Sequence, residues 1–481
     1  MEDDNINQKY SKFQDKIDKI SSSFCIAKWK QVTIHLDTGR THSCHHPPTH
    51  KIPIEEIQKN PSALHNTKFK KQQREMMMQG LRPPECDYCW RVEDSEKQDG
   101  EMVFSDRITK SANYWARPYI EEIKQAGWTY DPLPSFMEVN FGSTCNFKCS
   151  YCNPEISSKW MEEVKNYGGY KLNGLEYNGL AWLEQNDRIP ILNKEYNPYV
   201  EAFWRWWPEL VRELKIFRIT GGEPLLNKNT FQVLDFLIEN PHPELSLSIN
   251  SNLGVPTNVI NKFIEKMQII QDKRAIKEFY LYTSCEAQGD RAEYIRYGLN
   301  YKDWLTNCEK MIRDIPDSRL GLMATYNLLS ITSFKDMLED ILILKNRYTI
   351  QPERPHTVSL DTPYLRWPEF MAPWLMPPEW LVHIEDTITW MYKNLQQTYW
   401  PPLCGIGFFD HEIKKMERIY IVCKTALKEK DTKEINLHRQ NFIKFVDEHD
   451  LRRNTNFLKT FPEFKKIYKE WKNYEHPFAR V

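Results

Sequence analysis

The sequence predicts an α/β fold: a partial (β/α)6 barrel, preceded by a cysteine-rich region and followed by a helical extension. Three observations carry this reading. Between residues 132 and 362, six short runs rich in β-branched and aromatic residues alternate with helical stretches. Such alternation implies βαβ units around a parallel sheet. Residues 1–125 hold four cysteines and a cluster of histidines, and after residue 363 the pattern turns helical.

In chain order, the first element is a hairpin. VTIHL (32–36) alternates β-forming residues, DTG (37–39) makes a turn, and Cys25 and Cys44 flank the pair. Cys86-x2-Cys89 follows after a gap. The strand runs are FMEVNF (136–141), IFRIT (216–220), LSLSINS (245–251), FYLYTS (279–284), GLMATYNLL (321–329) and TVSLDT (357–362). The helical stretches between them are 202–214, 230–239, 258–270, 301–315 and 333–347. In barrels built this way the chemistry sits at the C-terminal ends of the strands. The stretch 167–200, rich in Gly, Asn and Tyr, reads as a long insertion loop. In 380–395, Leu381, Ile384, Ile388, Met391 and Leu395 form an amphipathic helical face.

Composition narrows the function classes. With 481 residues, the chain has room for two to four domains and a well-buried core. Lys+Arg is 65 against Asp+Glu 66, which excludes a broadly basic nucleic-acid coat. There is no apolar run long enough for a transmembrane helix and no signal-peptide stretch in MEDDNINQKYSKF, so a cytoplasmic protein with reduced thiols is expected. In that setting clustered cysteines read as metal ligands. Seven of the eleven lie before residue 153, while Cys285, Cys308, Cys404 and Cys423 stand singly and read as small core residues.

Directly after the first strand run, GSTCNFKCSYC places Cys145, Cys149 and Cys152 in a C-x3-C-x2-C spacing. Three thiolates on one short loop can hold three irons of a [4Fe–4S] cube and leave the fourth iron open. A zinc loop borrowing a distant ligand is the other reading. IFRIT is followed by Gly221-Gly222-Glu223-Pro224, two of only 17 glycines standing side by side. Such a turn lets backbone approach a ligand closely.

This cysteine loop, with Tyr151 before its third Cys, and the GGEP turn one βα unit later resemble the radical S-adenosylmethionine superfamily. The resemblance implies a [4Fe–4S] cluster on Cys145, Cys149 and Cys152, with Gly221, Gly222, Glu223 and Pro224 cradling the methionine part of S-adenosylmethionine. It implies reductive cleavage to methionine and a 5′-deoxyadenosyl radical that abstracts hydrogen from substrate. Ser251 and Asn252, ending the third strand run, and Ser284 and Glu286, ending the fourth, match cofactor-contacting positions more loosely, as does Asn327. Arg296, twelve residues after Ser284, resembles the partner in a Ser–Arg pair that holds the cofactor carboxylate. Helix capping and a solvated helix face are the ordinary readings of these residues.

Cys25, Cys44, Cys86 and Cys89 are similar in arrangement to the SPASM/twitch domain, implying an auxiliary iron–sulfur cluster, here N-terminal rather than after the barrel. A four-cysteine zinc ribbon is the alternative, and His42, His45, His46 or His50 could replace a thiolate. By resemblance the substrate is a peptide or protein, alternatively a small molecule or nucleotide, and an electron donor such as flavodoxin or ferredoxin is implied. A zinc-binding interaction protein is the reading from another class. Trp204, Trp206 and Trp207 read as aromatics packing a helix, 366–380 as a lid or packed connection, and Arg452-Arg453 as a docking helix end.

Overall fold

Alternation of buried side chains marks two neighbouring strands of the sheet. In Ile216–Thr220, Phe217 and Ile219 are fully buried while their neighbours are half-buried, and Met137 and Val139 repeat the pattern in Phe136–Asn140. The computed structural model describes residues 2–95, 103–348, 357–395, 407–429 and 432–473. It divides into two units: Met1–Ser143 with Pro190–Ile249 and Asp272–Glu278, and Thr144–Ile189 with Asn250–Gln271 and Phe279–Val481.

The first unit is built on sheet. Phe136–Asn140 pairs in parallel with Ile216–Thr220, Val139 opposite Ile219, and that strand pairs in parallel with His242–Asn250, Phe217 opposite Leu247. On its other edge Phe136–Asn140 pairs in parallel with Gln31–His35, Val139 opposite Ile34. The hairpin continues antiparallel through Arg40–His42 and His50–Lys51. The cysteine-bearing hairpin is therefore part of the same sheet as the first strand of the βα series, so the sequence boundary at 125–132 is not a boundary of this sheet. Burial explains the join: Val32 and Ile34 are fully buried, and the open edge of Phe136–Asn140 finds a hydrogen-bonding partner. The hairpin turn requires Gly39, whose φ is +62° and where a Cβ would lie 2.1 Å from the Tyr199 ring.

An apolar cluster that includes Phe24, Ile26, Trp29, Met77, Trp90 and Trp115 fills the N-terminal region, with Phe136 and Ile216 of the neighbouring strands packed against it, Cys25 and Cys86 at its margin and Cys89 within it. In helix Pro198–Leu210, Trp206 and Trp207 are fully buried, and Trp207 packs on Phe217 with ring centroids 4.9 Å apart, as the packing reading expects.

The second unit holds the end of Ile276–Thr283 with Ser318–Met323 and Val358–Asp361, all parallel and side by side in sequence order. Helices Thr257–Asp272, Tyr301–Asp314 and Phe334–Tyr348 alternate with these strands as expected. Beyond residue 363 the chain is helical: Leu381–Lys393, Asp410–Glu429, Thr432–Arg453 and Lys465–Lys472. The sequence reading of 167–200 as a loop is corrected. Tyr170–Leu172 and Leu175–Tyr177 form a hairpin, and Leu180–Gln185 and the start of Pro198–Leu210 are helical. Tyr170 and Tyr177 are buried against Phe445 of Thr432–Arg453, 5.0 and 5.9 Å between centroids, a long-range packing that local composition does not show.

Cys285, Cys308 and Cys423 are buried as expected, and Cys404 lies outside the described residues. Among the described residues no helix is long and apolar enough to cross a membrane.

Candidate functional site

The C-x3-C-x2-C loop belongs to the second unit and is held from outside by its backbone. Lys148–Cys149 pairs antiparallel with Arg296–Tyr297, Cys149 opposite Arg296. The amide of Ser150 donates to Ile295 O (2.7 Å), and that of Cys152 to Cys149 O (2.9 Å) in a tight turn. Side chains then clamp the carbonyls: Trp160 Nε1 on Cys149 O (2.8 Å), and Tyr177 OH (3.0 Å) and Asn178 Nδ2 (2.8 Å) on Cys152 O. Ser158 Oγ accepts from the Cys145 amide (3.1 Å). Most of the loop's backbone is thus satisfied by groups outside it, while the Phe147 amide donates to Cys145 Sγ (3.4 Å); the three thiols are half-buried.

Among the described residues, two groups of three ligand atoms lie close together, His45/His46/Asp106 and Glu369/Glu434/His438, and neither includes a cysteine.

Two buried charge clusters surround the loop. Arg296 Nε donates to Glu286 Oε2 (2.8 Å), Arg296 Nη2 donates to Glu286 Oε1, and Tyr151 OH donates to Glu286 Oε1 (2.6 Å). Arg296 Nη1 also stands 3.6 Å from Cys149 Sγ. The Arg296 fork is therefore engaged by Glu286, a pairing the sequence did not show, while Tyr151, Glu286 and Arg296 are brought together on the loop. Burial pushes the Cys149 thiol up, and the Arg296 guanidinium pulls it partly back; Cys152 is pushed up by burial and by Cys149. Metal binding here must release thiol protons.

The second cluster comes from the helix Thr432–Arg453. Arg453 is 4% exposed; it forks Glu163 (3.1 Å to each oxygen) and donates from Nη1 to Lys148 O (2.7 Å), inside the cysteine loop. Lys148 Nζ and Tyr170 OH complete the Glu163 shell at 2.6 and 2.7 Å. Burial alone would raise Glu163, but the Arg453 guanidinium and these donors hold it down at about 2. Arg452 bonds Glu448 and the carbonyls of Gly168 and Gly169, so both arginines dock the helix.

Asn252 Nδ2 donates to Asn146 Oδ1 (2.8 Å) and lies 3.9 Å from Cys145 Sγ, joining the loop. Ser251 Oγ accepts from the Leu253 amide (3.1 Å), an ordinary turn bond, and Asn327 likewise closes its own turn on Leu329 N (2.9 Å). Ser284 is half-buried, just past the strand end. A cavity of about 470 Å³ opens beside the loop, lined by Asn153, Glu155, Tyr177, Trp182 and Trp367 among others.

In the first unit, the glycine turn is fixed by backbone geometry. Gly221 has φ +118°, and a Cβ there would lie 2.2 Å from Asn140 Oδ1 and 2.8 Å from Gly142 O. Gly222 N donates to Gly142 O (3.1 Å). Glu223, 1% exposed, caps the turn Pro224–Leu226 by accepting from Leu225 N (2.9 Å). Asn140 is oriented by Asp37, whose two oxygens accept from Nδ2 at 3.1 and 3.0 Å.

The four N-terminal cysteines converge. Cys25, Cys44, Cys86 and Cys89 line one small cavity of about 20 Å³ with Lys28 and Arg107. Burial pushes Cys86 and Cys89 up to about 12. Neighbouring histidines have other partners: His46 Nε2 meets Asp106 Oδ2 at 2.6 Å, His50 Nε2 meets Thr67 Oγ1 at 2.9 Å, and His42 Nδ1 bonds Cys44 O. Three thiols on one loop and four at one cavity are donor sets that could hold an iron–sulfur cluster or a zinc ion.

No family model matches the chain, and no curated protein matches it either. Among solved structures, it is similar to Streptococcus suis SuiB bound to precursor peptide SuiA, with TM-score 0.31 and 11% identity over 76% of this chain and 69% of that chain. SuiB bound to S-adenosylmethionine gives TM-score 0.30 and 10% identity over 78% and 68%.

Proposed function

We propose that the chain is a radical S-adenosylmethionine enzyme whose cluster is held by Cys145, Cys149 and Cys152. The observation that carries this reading is the loop itself: three cysteines on one short turn whose carbonyls are clamped from outside by Trp160, Tyr177 and Asn178, a donor set that suits a cube with one open iron. What the cluster supplies when bound is one low-potential electron for the sulfonium of S-adenosylmethionine. The chain's own residues do the rest. Arg296 puts a guanidinium beside Cys149, Glu286 and Tyr151 orient it, and Asn252 reaches towards Cys145. Gly221–Pro224 as the cofactor's methionine cradle rests on the motif resemblance, supported by a backbone that admits no side chain at Gly221.

Cys25, Cys44, Cys86 and Cys89 hold an auxiliary cluster in this proposal, within an N-terminal region that ends near residue 125. The substrate is a peptide or protein, and a flavodoxin- or ferredoxin-type donor supplies the electron. The four-thiol cavity and the absence of a broad basic charge support these over a nucleic-acid substrate. A zinc-binding interaction protein is the competing class. Iron and sulfide analysis of anoxically reconstituted protein separates the two: about eight irons with matching sulfide are expected, and zinc without sulfide would reject the enzyme.

A further inference from the structure

Lys28 is an unusual residue to bury. It is 2% exposed, on the fully buried turn Ala27–Lys30, three residues after Cys25. Its ammonium pairs with Glu85, which is also nearly buried, and stands 3.5 Å from Cys86 Sγ. A buried ion pair of this kind contributes little net stability, because desolvation offsets most of the Coulomb gain. Its placement therefore calls for another use.

The other charged groups lining the cavity are committed elsewhere. Arg107 is forked by Glu93 and paired with Asp18, and Lys110 is paired with Asp106. Among the described residues, Lys28 is the charged side chain within hydrogen-bond reach of a sulfur at this cavity.

We propose that Lys28 sets the reduction potential of the auxiliary cluster, by donating an N–H···S hydrogen bond to Cys86 from an ammonium whose charge Glu85 partly offsets. This rests on the cluster reading of the four cysteines. A cation and a hydrogen bond at a ligand sulfur favour the more negative, reduced state and raise the potential. In the redox step at issue one electron enters from dithionite, and no bond forms or breaks. Lys28 is a positioning residue and has no part in the substrate chemistry.

The test is an EPR-monitored dithionite titration of full-length protein carrying Cys145→Ala, Cys149→Ala and Cys152→Ala, in which the N-terminal site alone remains. Lys28→Met should lower the ratio of reduced to oxidised cluster at fixed potential about tenfold, a shift of about 59 mV to the negative for one electron. Lys28→Arg should keep most of the parent potential. Glu85→Gln, which frees the ammonium of its carboxylate, should shift the potential the other way. An unchanged potential in Lys28→Met protein with four irons per chain would overturn the proposal and leave the cluster intact. If Lys28→Met holds no iron, Glu85→Gln decides: an unmoved or lowered potential overturns the proposal. One zinc without sulfide in the parent overturns the cluster reading, and this proposal with it.

Discussion

Replacing Arg453 by Met tests whether the helix Thr432–Arg453 holds the cysteine loop. The substitution removes a buried guanidinium from Glu163, leaving a carboxylate at 1% side-chain exposure with Lys148 and Tyr170, and it strips the donor from Lys148 O. Two routes give the magnitude. Removing one partner of a buried pair costs about 3–5 kcal/mol. Separately, holding Glu163 at about 2 against an ordinary 4.5 corresponds to roughly 3 kcal/mol at about 1.4 kcal/mol per unit. The sign follows from the depressed value: this stability is present above pH 4.5 and is lost as pH falls towards 2. The remaining partners place the expected cost near the lower figure, about 3 kcal/mol. The assay is native-state hydrogen exchange read by mass spectrometry on peptides spanning 145–153. An opening free energy lowered by that amount speeds exchange on the order of a hundredfold at neutral pH. The variant should also lose part of the wild-type destabilisation between pH 4.5 and 2. Unchanged exchange in this loop would refute the support assigned to the helix.

Three further outcomes are expected. Cys149→Ala should keep its fold but lose about four irons and their sulfide, since two thiolates do not hold a cube; metal analysis and circular dichroism check both. Gly221→Ala should destabilise by at least about 1–2 kcal/mol in urea titration, because φ is +118° and the new Cβ meets Asn140, whereas Gly222→Val in a folded protein should weaken S-adenosylmethionine binding by calorimetry. Glu286→Gln removes the charge that offsets Arg296 and should lower the Cys149 thiol pKa, so iodoacetamide labels the Cys149 peptide of metal-free protein faster at fixed pH.

The parts legible in the sequence are those governed by local period and spacing. The run IFRIT is the strand Ile216–Thr220 residue for residue, and the VTIHL–DTG hairpin turns at Gly39. The cysteine spacing marked the loop, and the short list of N-terminal cysteines marked a set that the fold gathers at one cavity. Long-range partners were not legible. Glu163 and Arg453 are 290 positions apart, and nothing in either neighbourhood names the other; only the Arg452-Arg453 pair stood out, as a helix end. Glu286 and Arg296 were each picked out by position at or after a strand end, yet their pairing with each other and Tyr151 depends on the short strand Arg296–Tyr297 folding back on Lys148–Cys149. The hairpin within 170–177 was hidden because its Gly- and Asn-rich turns resemble loop, and its tyrosines are buried by a helix far along the chain.

The central claim is that Cys145, Cys149 and Cys152 hold a cluster that cleaves S-adenosylmethionine. Anoxically reconstituted full-length protein, incubated with dithionite and S-adenosylmethionine, should release 5′-deoxyadenosine and methionine, quantified by liquid chromatography and mass spectrometry, and Cys149→Ala protein should release neither. Wild-type protein that carries about four irons at this loop and releases no 5′-deoxyadenosine, or a Cys149→Ala variant that releases as much as wild type, would contradict the account.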